Sequence, residues 1–154
     1  MELIRKFTPE QFETALSSWN WLPIEGKEPF LANALGDVFF TSAEGIHFLD
    51  KIDGTLLKLC NTKEELQSLL NTKEGQETYL WSPIIQALST TELHTEENEV
   101  FDFEINPILG GEIDLPNITT SDFVVATNLA GQIHEKVKDL PEGTSISNIK
   151  INEI

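Results

Sequence analysis

The chain has 154 residues, the size of one domain, and its 26 Asp+Glu against 10 Lys+Arg give a formal net charge of −16. That balance argues against binding to nucleic acid or to an anionic membrane surface, because both need clustered Lys and Arg to meet phosphates. A hydrophobic share of 40%, with 9 Phe and 3 Trp, argues against an acidic disordered tail, and the acids are spread along the chain instead of forming one block.

Cys60 is the only cysteine, which leaves no intrachain disulfide framework and no cysteine-based zinc site. The first ten residues lack an apolar signal-peptide core, and no apolar run approaches the roughly 20 residues needed to span a bilayer. The expectation is a soluble cytoplasmic protein with one domain over 1–154.

Thr8-Pro9-Glu10-Gln11 opens a helix over about 8–20. Thr8 caps it, Pro9 suits the first helical position and Gln11 completes a capping box. Phe12, Ala15, Leu16 and Trp19 then share one face, and Pro23 and Gly26 end the element, with Trp21, Leu22 and Ile24 leading into the core.

From Gly36 to Cys60 the period becomes that of strands. Asp37 to Thr41, Ile46 to Asp50 and Thr55 to Cys60 are separated by turns at Gly45 and at Asp53-Gly54, which predicts a three-stranded antiparallel meander. Asn61-Thr62-Lys-Glu-Glu65 restarts a helix whose buried face is Leu66, Leu69 and Leu70. Between Thr78 and Leu88, either Ser82 caps a helix with Pro83 in its first turn or a longer helix kinks at Pro83. The first arrangement is favoured.

Residues 90–98 read as a polar loop. Val100 to Ile105 alternates as a strand, and Pro107 to Gly111 and Pro116-Asn117 read as turns. Phe123-Val-Val-Ala126 reads as a short buried strand. Leu129, Ile133 and Val137 then mark a helix over 128–138, ended by Pro141 and Gly143, and Ile146 to Ile151 alternates as a last strand. Helices segregated from a largely antiparallel sheet give an α+β class.

The residues that could carry chemistry each have an ordinary structural reading. His47 alternates with Ile46 and Phe48 and so points away from their face. A metal or general-base role needs a second ligand or an orienting carboxylate, which Asp37 or Asp50 could supply, and a surface histidine is the simpler reading. His134 lies on the polar side of its helix beside Glu135, and His94 sits among Glu92, Glu96 and Glu97. No metal-ligand spacing joins the three. Asp50 to Gly54 has the start of a calcium loop without its remainder and reads as a turn. Cys60 reads as a small buried hydrophobe. Gly110-Gly111 lacks the context of a phosphate loop, and Gly131, at a cost of about 1 kcal/mol against Ala, reads as a point of close packing between helix and sheet.

One ordered set of segments is familiar: Leu31-Ala-Asn-Ala-Leu-Gly-Asp37 with Val38-Phe-Phe40, Gly45-Ile-His-Phe-Leu-Asp50, Asp53-Gly54-Thr-Leu, Tyr79-Leu80, Val100-Phe-Asp-Phe103, Pro107-Ile-Leu-Gly-Gly111 and Ala130-Gly-Gln-Ile-His134. In this order the chain resembles, over 19–143, the C-terminal domain family of the immunity proteins paired with type VI secretion DNase effectors. The family often carries a further N-terminal domain, and the expectation from the resemblance is that this domain is missing here or reduced to one helix.

The resemblance implies a non-enzymatic bacterial protein without cofactor or metal, which binds a toxin in the cytoplasm of the producing cell and occludes it. It brings no catalytic residues. It implies scaffold roles for Gly36, Asp37, Leu49, Asp50, Gly110, Gly111, Gly131 and Gln132. A nuclease presents a basic cleft, so an acidic inhibitor would be steered to it. The candidate contacts are Glu44, Asp50 and Asp53 of the hairpins and Glu92, Glu96, Glu97 and Glu99 of the polar loop. Two other readings remain: an acidic intracellular adaptor with no toxin partner, and a hydrolase using His47 with Asp37 or Asp50.

Overall fold

A computed structural model describes residues 1–141 and 151–152. The fold is α+β. Five strands, β1 (Ile4–Arg5), β2 (Glu28–Asn33), β3 (Val38–Ser42), β4 (Gly45–Asp50) and β5 (Thr55–Cys60), form one antiparallel sheet in chain order, and β6 (Glu99–Phe103) pairs with β7 (Ile118–Asp122) in a separate antiparallel ribbon. Helix α1 (Pro9–Leu16) lies between β1 and β2. Helices α2 (Lys63–Leu70), α3 (Lys73–Tyr79) and α4 (Ser82–Leu88) lie between sheet and ribbon, and α5 (Phe123–Val137) follows β7.

The expected meander is therefore the centre of a larger one. β1 and β2 extend it and had no alternating pattern to announce them: β1 is two residues long, and β2 contains Pro29, where its register against β3 shifts. Helix α3 likewise has no periodic signal, because its sequence, Lys-Glu-Gly-Gln-Glu-Thr-Tyr, has no apolar face. It starts because the Thr72 hydroxyl caps Gly75 N.

The run 123–126 is the first turn of α5 and not a strand. Asp122 accepts from Val125 N at 3.1 Å, and Phe123, Ala126 and Ala130 continue the buried face of the helix, so the cap and the 3.6-residue period prevail over β-branched propensity. Residues 107–109 and 115–117 are single 3-10 turns, and the strand expected over 146–151 lies, apart from Ile151, outside the described residues.

Both faces of the sheet are covered. Phe39, Ile46 and Phe48 pack against Leu66, Leu70 and Leu80 on one side, and Val38, Phe40 and Leu49 pack against Phe12, Trp19, Phe123 and Ala130 on the other. A third cluster joins Leu35 at the β2–β3 turn to Ile85 and Leu88 of α4 and to Phe101 and Ile118 of the ribbon.

These layers meet at Asp37, which is 2% exposed. Its Oδ2 accepts from Asn33 Nδ2 at 2.8 Å and from Trp81 Nε1 at 2.9 Å, and its Oδ1 accepts from Lys51 N at 2.9 Å. Asn33 Nδ2 also donates to Tyr79 O at 2.8 Å, while Asn33 Oδ1 accepts from the backbone of Leu35 and Asp37. The preceding Gly36 has φ +88, which closes the turn at little steric cost. Trp81, and not Ser82, stands at the N-cap of α4. Its φ of 58° is rare for a bulky residue, and the indole–carboxylate bond helps to hold it there.

Helix α1 and the turn after it are fastened to α5. Trp19 Nε1 donates to Thr127 O at 2.8 Å, Ser18 Oγ to Asn128 O at 2.7 Å, and Asn128 Nδ2 to Thr14 O at 2.9 Å. Gly131 does mark a close approach, but to this turn and not to the sheet: a Cβ there would stand 2.2 Å from Ser18 Oγ and 2.8 Å from Trp19 Nε1.

Two stability predictions follow from this packing. Asp37→Ala orphans the part-buried Trp81 Nε1 and the buried Lys51 N and is expected to cost about 3–5 kcal/mol, a fall of roughly 10 °C or more in the thermal midpoint. An unchanged midpoint would remove the carboxylate from its structural role. Gly131→Ala should cost about 1–3 kcal/mol in a urea titration despite the higher helix propensity of alanine.

Candidate functional site

The structure divides the seven candidate acids into three places. Glu44 precedes β4, Asp50 ends it and Asp53 follows it, so the two hairpin tips lie about 17 Å apart at roughly 3.4 Å per residue. Asp50 is half-buried. Its Oδ1 accepts from Ile52 N at 2.9 Å and Asp53 N at 3.1 Å, which makes it a turn-forming residue more than a free contact.

Glu92, Glu96, Glu97 and Glu99 do share one loop. Arg5 anchors it, donating to Glu96 O at 2.6 Å, Glu97 O at 2.9 Å and Thr95 Oγ1 at 3.1 Å, so the cation is engaged by carbonyls and a hydroxyl while Glu92, Glu96 and Glu97 stay exposed. Glu99 is half-buried and its carboxylate accepts from Glu96 N at 2.8 Å. The exposed His94 lies beside Glu96, with Nε2 3.4 Å from Oε1, and the Glu92 carbonyl, then Glu96, raise its pKa.

Two histidines expected at the surface are buried. His47 points away from the Ile46 face as the alternation requires, but α1 and α5 cover that second face, and His47 is 9% exposed with no hydrogen-bond partner at Nδ1. Burial, then the nearby Lys27, lowers its pKa. Its proposed carboxylate partners are engaged elsewhere, Asp37 by Trp81, Asn33 and Lys51 N and Asp50 by its own turn. His134 faces inward. Its Nε2–H donates to Lys51 O at 2.7 Å, its ring lies over Gly54 and packs beside Trp19, and burial lowers its pKa against the opposing effect of that carbonyl. Cys60, expected as a buried hydrophobe, is half-buried at the end of β5.

The segment between β6 and β7 is braced from within. Asn117 Nδ2 donates to Ile105 O and to Glu112 O, both at 2.8 Å, and Ile105 N donates to Asn117 Oδ1 at 2.9 Å. Asn106 Oδ1 accepts from Ile108 N at 3.0 Å. Gly110 closes the 3-10 turn with φ 101°, and a Cβ on Gly111 would collide with Ile105 O. Of the other motif residues, Leu49 is core, and the Gln132 carboxamide joins the backbone of Asn152 through Asn152 N at 2.7 Å.

Behind this segment lies a groove of about 460 Å³. Ile105, Pro107 and Leu109 of the segment line it together with Leu129 and Ile133 of α5, and Lys51 and Asp102 also reach it. Lys51 is 4% exposed, and its Nζ stands 3.9 Å from Asp102 Oδ1 with no hydrogen-bond partner. Among the described residues no group of three or more His, Cys, Asp or Glu is placed to hold a metal, and no helix is long and apolar enough to cross a membrane.

No family model matches the chain, and no curated protein does. Among solved structures, the crystal structure of Atu4351 from Agrobacterium tumefaciens is similar in fold, with a TM-score of 0.59 at 12% identity over 85% of this chain and 67% of that one. At that identity the likeness bears on the fold alone.

The turn at Asp50 gives a pH prediction. Burial, then the charge of Asp37, raises the pKa of its carboxyl. The folded chain therefore holds this proton more tightly than the unfolded chain, and the fold weakens as pH rises through the raised pKa. Asp50→Asn keeps the oxygen that closes the turn and removes the charge. Its thermal midpoint should exceed the wild-type value at pH 7, and the gap should close as pH falls below about 4. A lower midpoint at pH 7 would reverse the sign of this argument.

Proposed function

We propose that the chain is a non-enzymatic immunity-type protein that binds and occludes a cognate toxin, a nuclease effector with a basic cleft, in the cytoplasm of a bacterial cell. The motif resemblance over 19–143 suggests the class. The observation that carries the reading is a segregation of charge: the 62 residues from Glu74 to Glu135 contain 12 acids and no Lys or Arg. These residues make up α3 after Lys73, α4, the β6–β7 ribbon, its connecting segment and most of α5.

Among the described residues, Arg5 and Lys51 of the sheet half reach this half, and neither leaves its charge exposed there. Arg5 is bonded to the loop at 95–97, and Lys51 is buried beside Asp102. The remaining acids leave a one-signed field, which steers a basic partner and speeds its association. The acids expected at the partner surface, Glu92, Glu96, Glu97 and Glu99, all belong to this half.

The test is capture of the product of the neighbouring gene by the purified chain. The expected result is a 1:1 complex whose association rate falls at least about tenfold as salt rises from 0.05 M to 0.5 M. Failure to recover that product would count against the proposal, and a complex insensitive to salt would favour an adaptor whose acids serve solubility.

A further inference from the structure

The acids describe a field, but a field does not provide a seat. Tight interfaces concentrate their energy in a desolvated apolar centre, with polar groups at the rim. The described residues include ten exposed large apolar side chains, and five of them, Ile105, Ile108, Leu109, Ile113 and Leu115, fall within eleven consecutive residues at 38–56% exposure. Single exposed apolar side chains are ordinary on a protein surface, whereas such a concentration marks an interaction surface. The fold does not use these side chains as core, yet Asn106, Asn117 and Gly111 hold the backbone that displays them. A surface fixed before contact loses little conformational entropy on binding.

We infer that the braced segment from Ile105 to Leu115 is the seat of the partner, and that the partner presents to it an apolar patch rimmed by Lys and Arg. This rests on the reading of the partner as a basic protein and specifies where that protein docks. The choice of occupant follows from charge. Glu104, Glu112 and Asp114 border the apolar side chains and are exposed, and no Lys or Arg lies between residues 102 and 133. A second copy placed here would bring the same acids against each other, and an anionic membrane would meet the same repulsion. A basic rim around an apolar patch is complementary to both parts of the surface. The groove behind the segment, with apolar walls from Leu109, Leu129 and Ile133, offers a place for one anchoring side chain of the partner.

The acids of this half then divide by role, and those at the rim are not among the seven that the sequence singled out. Glu92, Glu96 and Glu97 belong to the steering field, whereas Glu104, Glu112 and Asp114 touch the partner's rim.

The experiment measures binding of the purified neighbouring gene product to the wild-type chain, to Ile108→Asp/Leu109→Asp, to Glu104→Gln/Glu112→Gln/Asp114→Asn and to Glu92→Gln/Glu96→Gln/Glu97→Gln. Circular dichroism and thermal melts confirm that each variant is folded, as expected for exposed positions. The proposal expects the apolar pair to weaken the complex at least about 30-fold, mostly through faster dissociation. The rim triple should weaken it about tenfold at low salt. The 92/96/97 triple should slow association with little effect on dissociation.

If the wild-type chain binds and both segment variants bind within threefold of it, the seat is elsewhere and the proposed function stands. If the wild-type chain does not bind, the reading of the partner fails and the seat fails with it. Sedimentation of the chain alone supplies the remaining outcome: a dimer that the apolar pair dissolves would assign the surface to a second copy and overturn the proposal.

Discussion

A carboxylate with almost no access to water sets the geometry of this fold. Removing the Asp37 charge from solvent costs several kcal/mol unless donors replace the lost water, and here the donors come from three separate places: Asn33 at the β2–β3 turn, Lys51 N after β4, and Trp81 at the start of α4. Each donor is directional, so satisfying the charge fixes how the meander, its hairpin turn and the α3–α4 junction sit relative to one another. An apolar side chain could fill the same space without selecting the left-handed backbone at Trp81. The buried polar junction is thus a source of uniqueness more than of net stability.

The fold was largely legible where one physical signal acted alone. The capping box at Thr8 and Gln11 is present in both halves, with Gln11 N on the hydroxyl and Thr8 N on the carboxamide, and the alternation from Val38 to Cys60 gives the central strands. It failed where two signals competed or none existed. At 123–126 the β-branched residues suggested a strand while Asp122 offered a cap, and the cap was the deciding feature. In α3 no apolar period exists to be read. Alternation also reports which side chains share a face but not whether that face is covered, which is why His47 was placed correctly by direction and wrongly by exposure. His134 shows a related gap: one buried position on a long helix was set by a carbonyl 83 residues earlier in the chain.

The candidate site was less legible, because a list of acids has no sign structure until the bases are mapped beside it. Counting carboxylates gave seven residues that the structure distributes over two hairpin tips and a loop. The informative quantity was the missing cations between Lys73 and Lys136. The apolar surface was hidden for another reason. Pro107 to Gly111 and Pro116-Asn117 read as turns, and these turn formers mask the Ile and Leu residues interspersed among them. A turn-rich segment that nevertheless contains five large apolar residues is itself a signal, since solvated turns have little use for them.

The cation-free span has a covalent consequence as well as an electrostatic one. Trypsin finds no bond to cleave between the cut after Lys73 and the cut after Lys136, so α4, the ribbon and its braced segment leave a digest as one long acidic fragment, while the sheet half is cut at Arg5, Lys6, Lys27, Lys51, Lys58 and Lys63. Amine-directed labels likewise have no lysine to mark in that span. A footprint of a bound partner that reads charged side chains on this half is written through carboxylates, the same groups that give the surface its field.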